Sequence, residues 1–168
     1  MPLQNVEIKA RCSKPNKVRA ILKENNAHFK GTDHQIDTYF CVEEGRLKLR
    51  EGDIENNLIY YYRPDTASPK LSNIHLVSMN HSPKMKALLT AALGVQIVVD
   101  KQREIYFIDN VKFHIDKVKE LGSFIEIEAI DKDGDIGETK LQEQCEYYME
   151  LFEISKQDLV AESYSDLL

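Results

Sequence analysis

The segment from Asn5 to Arg11 alternates strictly between apolar and polar side chains. Neighbouring side chains of a β-strand point to opposite faces, so this pattern predicts a strand with one apolar and one charged face. The apolar face holds Val6, Ile8 and Ala10, and the polar face holds Asn5, Glu7, Lys9 and Arg11. The same alternation returns near the end of the chain, where it puts Glu126 and Glu128 on one face.

Strand-like segments recur through most of the chain, and short polar turns separate many of them. After the first strand, the predicted strands cover residues 35–42, 46–51, 58–63, 71–78, 95–108, 111–118 and 123–130. Strands that are joined by short turns pair in antiparallel fashion. The pattern therefore predicts about eight strands, most of them antiparallel.

Three segments instead have apolar residues at helical spacing. The first helix is predicted to begin at an N-cap Ser13, with Pro15 in its first turn. The second has Ser82 as N-cap and Pro83 as first residue, and the third begins near Glu138. The expected buried stripes are Val18, Ile21, Leu22 and Phe29, then Met85, Leu88, Leu89 and Ala92, then Leu141, Cys145, Tyr148, Met149 and Phe152. Because the apolar sheet face is the partner these stripes require, the fold class is predicted to be α+β.

Length and composition narrow the range of functions. With 168 residues, the chain can bury one core and is too short for two ordinary domains. It has neither an apolar run near the roughly 20 residues of a membrane span nor a signal-peptide pattern, so we expect a cytoplasmic protein with no membrane partner. A net charge of -6 argues against a nucleic-acid partner. Cys12, Cys41 and Cys145 lack Cys-x-x-Cys spacing and are expected to be reduced thiols.

Charged side chains of both signs share the polar faces of several strands. The groups are Arg46, Lys48 and Arg50, then Lys101 and Arg103, then His114 and Asp116, and then Glu126 and Glu128. If helices cover the apolar face, these groups turn either to water, in an open sheet, or inward, in a closed barrel. A charged strand face is usually solvated, so the pattern alone favours the open sheet.

The chain resembles the CYTH family, also called triphosphate tunnel metalloenzymes, which includes class IV adenylyl cyclases, thiamine triphosphatases and inorganic triphosphatases. The matching segments are Asn-x-Glu-x-Lys at 5–9, Asp-Thr-Tyr-Phe at 37–40, Arg-Leu-Lys-Leu-Arg-Glu at 46–51, Tyr-Arg-Pro-Asp at 62–65, Lys-Gln-Arg at 101–103, His-Ile-Asp at 114–116, Glu-Ile-Glu at 126–128 and Ser-Tyr at 163–164. The likeness is strongest to the class IV adenylyl cyclase-like branch. It implies one CYTH-like domain over residues 1–168, built as a closed antiparallel eight-stranded β-barrel with helices packed outside.

The resemblance also implies roles for individual residues. The implied triphosphate clamp is Lys9, Lys48, Arg50, Arg63, Lys101 and Arg103. The implied metal ligands are Glu7, Asp116, Glu126 and Glu128, and the implied catalytic residues are Glu7 and Lys9. Carboxylates in an anion site require a cation between them and the phosphates, and an oxygen-only ligand set favours Mg²⁺ or Mn²⁺. The family motif starts Glu-x-Glu-x-Lys, whereas this chain has Asn5 at the first position. Because one carboxylate is missing, the number of metal ions in the site, one or two, is left open.

Three activities are compatible with these residues. The leading one is a metal-dependent phosphohydrolase that cleaves inorganic triphosphate, a nucleoside triphosphate or thiamine triphosphate with water. The alternative is an adenylyl cyclase, in which the ribose 3′-hydroxyl of ATP attacks the α-phosphorus. The second alternative is a non-catalytic polyphosphate- or nucleotide-binding module. In each case the partner is a triphosphate-containing small molecule, and a homodimer is left open.

A few further residues have simpler interpretations. His114 is interpreted as a structural hydrogen-bonding residue and Arg46 as a residue at the rim of the site, while Asp37 and Tyr39 are left open. The acidic segment 131–135 is predicted to be a solvated turn and not a calcium loop. Of the three consecutive tyrosines at 60–62, one or two are expected to face a cavity and the others to lie in the core.

Overall fold

The computed structural model describes residues 3–80 and 83–168, and its central feature is a closed barrel. Eight strands are described: β1 Leu3–Arg11, β2 His28–Phe40, β3 Arg46–Glu51, β4 Asn57–Tyr62, β5 Lys70–Ser78, β6 Val95–Ile108, β7 Val111–Val118 and β8 Gly122–Asp131. The helices are α1 Pro15–Glu24, α2 Pro83–Leu93, α3 Glu138–Leu151 and the short α4 Tyr164–Leu167, with a 3-10 turn at Lys156–Asp158. The predicted closed antiparallel barrel is confirmed.

The barrel closes because the first strand pairs with two strands that lie far away in the sequence. The strand order around the ring is β1-β5-β4-β3-β2-β6-β7-β8, and β8 returns to β1. Glu7 therefore lies opposite Lys70 on one side and opposite Glu128 on the other. Every described pair of neighbouring strands is antiparallel, and the ring has no free edge.

The apolar core lies between the outer wall of the barrel and two of the helices. Val6, Ile8 and Ala10 are buried on the outer face of β1, and α3 packs against β1 and β8. From the helices, Val18 and Leu22 of α1 and Leu141 and Cys145 of α3 are buried. Because this packing takes up the apolar faces of these strands, their charged faces turn to the barrel interior.

The start of β2 and the cap of α1 differ from the sequence-based predictions. Lys14, not Ser13, occupies the N-cap position of α1, and it makes no side-chain capping hydrogen bond. β2 begins at His28, so Phe29 belongs to this strand and is 49% exposed against the ring of Tyr106. A break in register between Phe29 and Gly31 disrupts the alternation that would have marked this part of the strand.

Helix α2 forms as predicted but does not bury its apolar stripe. Pro83 is its first residue, and Gly94, with φ of +81°, follows its end. No described residue of α2 is buried, and Leu88 is 62% exposed. The expectation that this stripe is buried is therefore wrong, while the proposed cap Ser82 lies outside the described residues. None of the helices in the described ranges is long and apolar enough to cross a membrane.

The acidic segment before α3 is a turn held by its own first residue. The carboxylate of Asp131 accepts hydrogen bonds from the backbone N–H groups of Gly134, Ile136 and Gly137, at 2.8, 3.2 and 3.0 Å. These bonds close the turn on itself, so the interpretation as a turn is confirmed.

Candidate active site in the barrel interior

A cavity of about 110 Å³ lies inside the barrel, and each of the eight described strands contributes to its wall. All six predicted clamp cations line it: Lys9, Lys48, Arg50, Arg63, Lys101 and Arg103. Of the predicted metal ligands, Glu7, Glu126 and Glu128 line it. The structure thus brings together side chains that lie up to about 120 residues apart in the sequence.

Asp37 on β2 contacts several of the cations that line the cavity. Arg50 donates two hydrogen bonds of 2.9 Å to the two carboxylate oxygens of Asp37, and the Nζ of Lys101 lies 2.6 Å from Oδ2. The Nζ of Lys48 is 3.4 Å from the same oxygen. Burial would raise the pKa of Asp37, but Arg50, Lys101 and Lys48 hold it well below its usual range. This residue, left open by the sequence, contacts three of the six predicted clamp cations.

The same cluster lowers the basicity of Lys101. Burial, together with the positive charges of Arg50, Arg103 and Lys48, lowers the pKa of Lys101 to about 7, even though Asp37 opposes the shift. One carboxylate is shared among several cations, so none of them is fully neutralised. Lys101 therefore titrates close to neutral pH.

Asp116 holds Arg103 in place. Arg103 donates two hydrogen bonds of 2.7 Å to the two oxygens of Asp116, and the hydroxyl of Tyr164 donates a third, also of 2.7 Å, to Oδ2. Both oxygens of Asp116 are thus engaged by protein donors, and Asp116 is absent from the residues that line the cavity. The prediction that Asp116 ligates a metal therefore has less geometric support than its role in orienting Arg103.

Glu126, Glu128 and His114 form a cluster on β7 and β8. Each offers one potential ligand atom, and these atoms all lie within 4.8 Å of one another. Glu126 Oε1 lies 3.7 Å from the Nζ of Lys9, and Glu126 Oε2 lies 3.1 Å from the Nδ1 of His114. Burial would raise the pKa of Glu126, but Arg103, His114 and Lys9 hold it well below its usual range. The cluster is therefore anionic and offers ligand atoms to a cation.

This donor set fits a divalent cation. Two carboxylates and an imidazole are common ligands of first-row divalent ions, and a carboxylate also suits Mg²⁺. The Nε2 atom of His114 is buried and has no hydrogen-bond partner among the described residues. Burial and the charge of Arg103 lower the pKa of His114, which favours the neutral ring. His114 does hydrogen-bond to Glu126, as expected for a structural residue, but one of its nitrogen atoms remains available.

Glu7 and Asn5 occupy neighbouring inward positions on β1. The carboxylate of Glu7 forms an ion pair with the guanidinium of Arg63, which also donates a hydrogen bond of 2.8 Å to Ser163 Oγ. Asn5 is only 1% exposed, and neither its amide oxygen nor its amide nitrogen has a partner in the described chain. The position of the missing first glutamate therefore holds a buried polar group without a hydrogen bond.

A loop between β3 and β4 brings Glu55 to the cavity. The buried carboxylate of Asp33 accepts hydrogen bonds from the backbone N–H groups of Asp53, Ile54 and Glu55, at 2.6, 2.9 and 2.9 Å. A Cβ on Gly52 would come within 2.7 Å of Asp33 Oδ2, so the loop leaves no room for a larger residue there. The Glu55 side chain then lies 2.6 Å from Lys112 and 3.6 Å from Arg50. Sequence reasoning missed Glu55 because a loop residue has no place in a strand alternation.

The C-terminal segment covers another part of the cavity. Ser163 Oγ is 2.9 Å from the hydroxyl of Tyr61, and the ring of Tyr164 lies 3.8 Å from the Nζ of Lys9. Lys9 also donates a hydrogen bond of 3.2 Å to the carbonyl of Glu162. The final segment thus contacts two of the predicted clamp cations, Lys9 and Arg63.

The remaining sequence-based interpretations have mixed outcomes. Tyr61 is buried and lines the cavity, whereas Tyr62 is 59% exposed, so the expectation that the other tyrosines lie in the core is wrong. Arg46 lies outside the main cavity, with its Nη2 2.9 Å from Asp166 Oδ2, as expected at a rim. Lys112 and Lys70 are further inward cations that the sequence analysis did not select, although their strands place them on the polar faces.

A family profile and a sequence relative each match nearly the whole chain. The profile described as the CYTH domain matches residues 3–164. A protein of Methanocaldococcus jannaschii, named as a candidate adenylate cyclase, is 30% identical over 175 aligned positions that cover 96% of this chain and 97% of that protein.

Two solved structures illustrate the likeness in fold. The PH1012 protein of Pyrococcus horikoshii superposes with a TM-score of 0.83 at 21% identity, over 98% of this chain and 99% of that one. A Hippeastrum protein, described as a candidate adenylyl cyclase with a dominant triphosphatase activity, superposes with a TM-score of 0.57 at 14% identity, over 95% and 91% of the two chains. The family profile covers almost the whole chain, and the protein therefore belongs to the CYTH domain family.

Proposed function

We propose that the protein is a divalent-metal-dependent phosphohydrolase that cleaves a linear triphosphate, either inorganic or attached to a nucleoside or to thiamine. The observation that carries this proposal is the cavity wall. Cations outnumber carboxylates among the lining residues, and the six proposed clamp residues all face the same space. A triphosphate with about four negative charges is the complement of such a wall, because a partly dry cavity strengthens each charge contact.

The arginine and lysine side chains of the cavity contribute to phosphate binding in different ways. Arg50 and Arg103 are each fixed by a two-pronged ion pair, to Asp37 and Asp116, so their remaining N–H groups have a set direction. A guanidinium held in this way can grip phosphate oxygens with defined orientation, whereas Lys48 and Lys101 act as point charges. Together these residues position the phosphate chain along the barrel interior.

The carboxylate cluster supplies the place for the metal. We assign Glu126 and Glu128 as ligands, and Glu7, on the neighbouring strand, as the base. A divalent cation bound there would neutralise phosphate charge as a Lewis acid. Lys9 hydrogen-bonds to the oxygen of the leaving phosphate, and Glu7 accepts the proton of the attacking water. The inward positions of these side chains next to the cluster support both assignments.

An adenylyl cyclase is the second candidate, favoured by the name of the Methanocaldococcus jannaschii relative. The same clamp would hold ATP, while the ribose hydroxyl would replace water as the nucleophile. A non-catalytic binding module is the third, and the neutral Asn5 in place of a carboxylate favours it.

Product analysis separates the three. The protein is incubated with Mg²⁺ and then with Mn²⁺ and given inorganic triphosphate, ATP or thiamine triphosphate, and orthophosphate, pyrophosphate and cyclic AMP are measured separately. We expect orthophosphate, released together with pyrophosphate from inorganic triphosphate, with ADP from ATP or with thiamine diphosphate from thiamine triphosphate. Cyclic AMP with pyrophosphate from ATP would instead establish the cyclase, and tight binding without turnover would establish the binding module.

Two glutamate variants connect the activity to the site. Glu128→Gln should lower kcat by about 100-fold or more, since it removes a proposed ligand charge. Glu120→Gln, at an exposed turn between β7 and β8, is the matched control and should leave kcat unchanged. Thermal unfolding of both variants shows whether the fold is intact. Equal activity of the two variants would overturn the assignment of Glu128.

A further inference from the structure

The aliphatic part of the cavity wall is confined to two neighbouring strands. The three aliphatic side chains among the residues that line the cavity are Ile59 on β4 and Ile74 and Leu76 on β5. Ile59 lies opposite Leu76 in the strand pairing, and Ile74 lies two positions before Leu76 on the same face of β5. These three residues form an aliphatic patch. The wall is therefore divided into a charged part and a smaller apolar part.

The aliphatic patch lies at the end of the barrel opposite to the C-terminal segment. Lys70, at the start of β5, donates a hydrogen bond to the backbone carbonyl of Ala161 in that segment. Leu76 is six residues further along the same strand, or about 20 Å at the usual rise per residue. Its side chain points inward, yet the residue is 44% exposed. The patch thus lies at an opening of the barrel that solvent reaches.

Asn57 adds a polar group beside the aliphatic patch. It lines the cavity two positions before Ile59 on the same face of β4, and its neighbour across the strand pair is Arg50. None of the hydrogen bonds in the described part of the chain involves its side-chain amide. Such an amide offers an acceptor and two donors, so it can pair with a ring edge that has a donor next to an acceptor.

A phosphate chain alone cannot use this part of the wall. Ionised oxygen atoms gain no contact energy from aliphatic side chains and lose hydration beside them. A planar heterocycle, in contrast, has apolar faces that Ile59 and Leu76 can cover and polar edge atoms that Asn57 can pair. Apolar walls with a few placed polar groups are typical of sites for organic ligands. The patch therefore fits the organic group of a triphosphate whose phosphates lie among the cations.

The charges near the patch favour a neutral ring over a cationic one. The carboxylate of Glu55, in the loop before β4, lies 2.6 Å from the Nζ of Lys112 and 3.6 Å from Arg50, so cations already neutralise it. Cations also outnumber carboxylates among all the lining residues. The thiazolium ring of thiamine is positively charged and would be repelled by this wall. The bases of nucleotides are neutral near pH 7 and avoid this repulsion.

We propose that the aliphatic patch and Asn57 bind the neutral base of a nucleoside triphosphate, and that the protein binds this class in preference to inorganic triphosphate and thiamine triphosphate. Ile59, Ile74 and Leu76 contact the faces of the base, and Asn57 pairs with its edge. Leu76 and Asn57 are then specificity-determining residues. This inference rests on the proposed binding of a triphosphate and names its class, whether water or the ribose hydroxyl is the nucleophile.

Binding without turnover is the first test. Titration calorimetry in EDTA compares ATP, inorganic triphosphate and thiamine triphosphate in the absence of divalent metal. Charge alone would favour inorganic triphosphate, because it carries at least as many negative charges as ATP. We expect ATP to bind at least about 10-fold more tightly than either of the other two. Equal or tighter binding of inorganic triphosphate or of thiamine triphosphate would overturn the proposal.

Three variants assign the preference to the patch. Leu76→Asn and Asn57→Leu should each weaken ATP binding by about 5-fold to 10-fold and leave the binding of inorganic triphosphate unchanged. Val77→Asn, on the outward face of the same strand and 60% exposed, is the matched control and should change neither affinity. An equal loss of both ligands in the two inward variants would overturn the assignment, because it would show a general effect on the site.

Nuclear magnetic resonance provides a readout that does not depend on a variant. The protein is grown with ¹³C-labelled methyl groups on isoleucine and leucine, and nuclear Overhauser effects to the base protons of bound ATP are recorded. We expect contacts from two isoleucines and one leucine, and the leucine contact should disappear in Leu76→Asn and persist in Val77→Asn. Absence of methyl contacts to the base of bound ATP would overturn the proposal, whether or not the variants fold.

The two proposals fail in distinguishable ways. Tight binding of ATP with methyl contacts to its base, but no orthophosphate from any triphosphate, would leave the base site and overturn the phosphohydrolase. Release of orthophosphate by a protein that binds ATP and inorganic triphosphate equally would leave the phosphohydrolase and overturn the base site.

Discussion

The ammonium of Lys101 and the carboxylate of Asp37 lie 2.6 Å apart on the neighbouring strands β6 and β2, inside the barrel. The same carboxylate receives both prongs of Arg50. Asp37 is thus a negative charge placed among groups that we expect to bind a polyanion. We infer that Asp37 orients the neighbouring cations, since its negative charge alone would weaken the binding of phosphate.

Asp37→Asn tests whether orientation or total charge matters more. The substitution removes one negative charge but leaves Arg50 without a two-pronged partner, and breaking a buried pair costs about 3–5 kcal/mol of stability. We expect kcat for inorganic triphosphate to fall by about 100-fold through misplacement of the clamp, while KM changes little or falls. Asp100→Asn, at a partly exposed ion pair with His34, serves as control. An unchanged kcat in a folded Asp37→Asn protein would show that Asp37 does not position the clamp.

Lys101 predicts a proton uptake on ligand binding. Its pKa is lowered to about 7 by burial and by neighbouring cations. A bound triphosphate would favour the charged form and raise this pKa, so above pH 7 binding should take up a proton and weaken as the pH rises. Calorimetry in two buffers of different ionisation enthalpy measures this uptake. Lys101→Arg stays charged and should not show it, and equal uptake by both proteins would contradict the assignment.

The same pKa has a consequence for stability. In the folded protein the pKa is about 7 and in the unfolded chain it is near the ordinary value of 10.5, so the unfolded chain binds more protons between these limits. The contribution of Lys101 to the free energy of unfolding should therefore rise with pH over this window. Comparing unfolding of the unmodified protein and Lys101→Arg from pH 7 to pH 10 measures it. A parallel pH dependence for the two proteins would contradict this prediction.

The strand alternation predicted the barrel wall better than it predicted the chemistry of the site. Lys48 and Arg50, and Lys101 and Arg103, were placed on common faces from spacing alone, and each pair does line the cavity. The alternation could not distinguish an inward from a solvated face, because both look the same along one strand. The family resemblance, not the spacing, decided that question.

Other parts of the site depend on contacts between distant elements. Glu55 reaches the cavity because Asp33 on β2 accepts hydrogen bonds from three backbone N–H groups of the loop that carries Glu55. The family resemblance implies Asp116 as a metal ligand, and in the structure its oxygens accept hydrogen bonds from Arg103 and Tyr164. Neither arrangement is visible in a local pattern, since each depends on residues at least 13 positions apart in the chain.

Glu55→Gln should strengthen the binding of triphosphate. The carboxylate now neutralises Lys112 and part of Arg50, and its removal makes the cavity more positive without disturbing the Asp33 bonds that hold the loop backbone. We expect the Kd for inorganic triphosphate at low salt to fall by about 5-fold to 10-fold, and the gain to shrink as salt is added. Asp53→Asn changes the same charge at an exposed position of the loop and should have little effect. Weaker binding by Glu55→Gln would indicate that Glu55 orients the cations instead.

Asn5→Glu tests the departure from the family motif. Asn5 is buried and unpartnered, so a carboxylate there would lose its hydration and should destabilise the metal-free protein by about 2–3 kcal/mol. If the position lies within reach of the ion, Mn²⁺ should restore this loss and raise Tm by more than it does in the unmodified protein. Gln4→Glu, at an exposed position near the start of the same strand, is the control. An equal Mn²⁺ effect on all three proteins would show that the natural site is complete with asparagine.

The unbroken ring of strands also limits how a ligand can arrive. Because each described strand hydrogen-bonds to a neighbour on both sides, the wall cannot part sideways without the loss of a whole ladder of hydrogen bonds. A ligand must therefore thread along the axis, past the side chains and the segments that cover the interior. A linear chain of phosphates can enter in this way with any bulky group trailing outside, whereas a molecule bulky at both ends could not thread through.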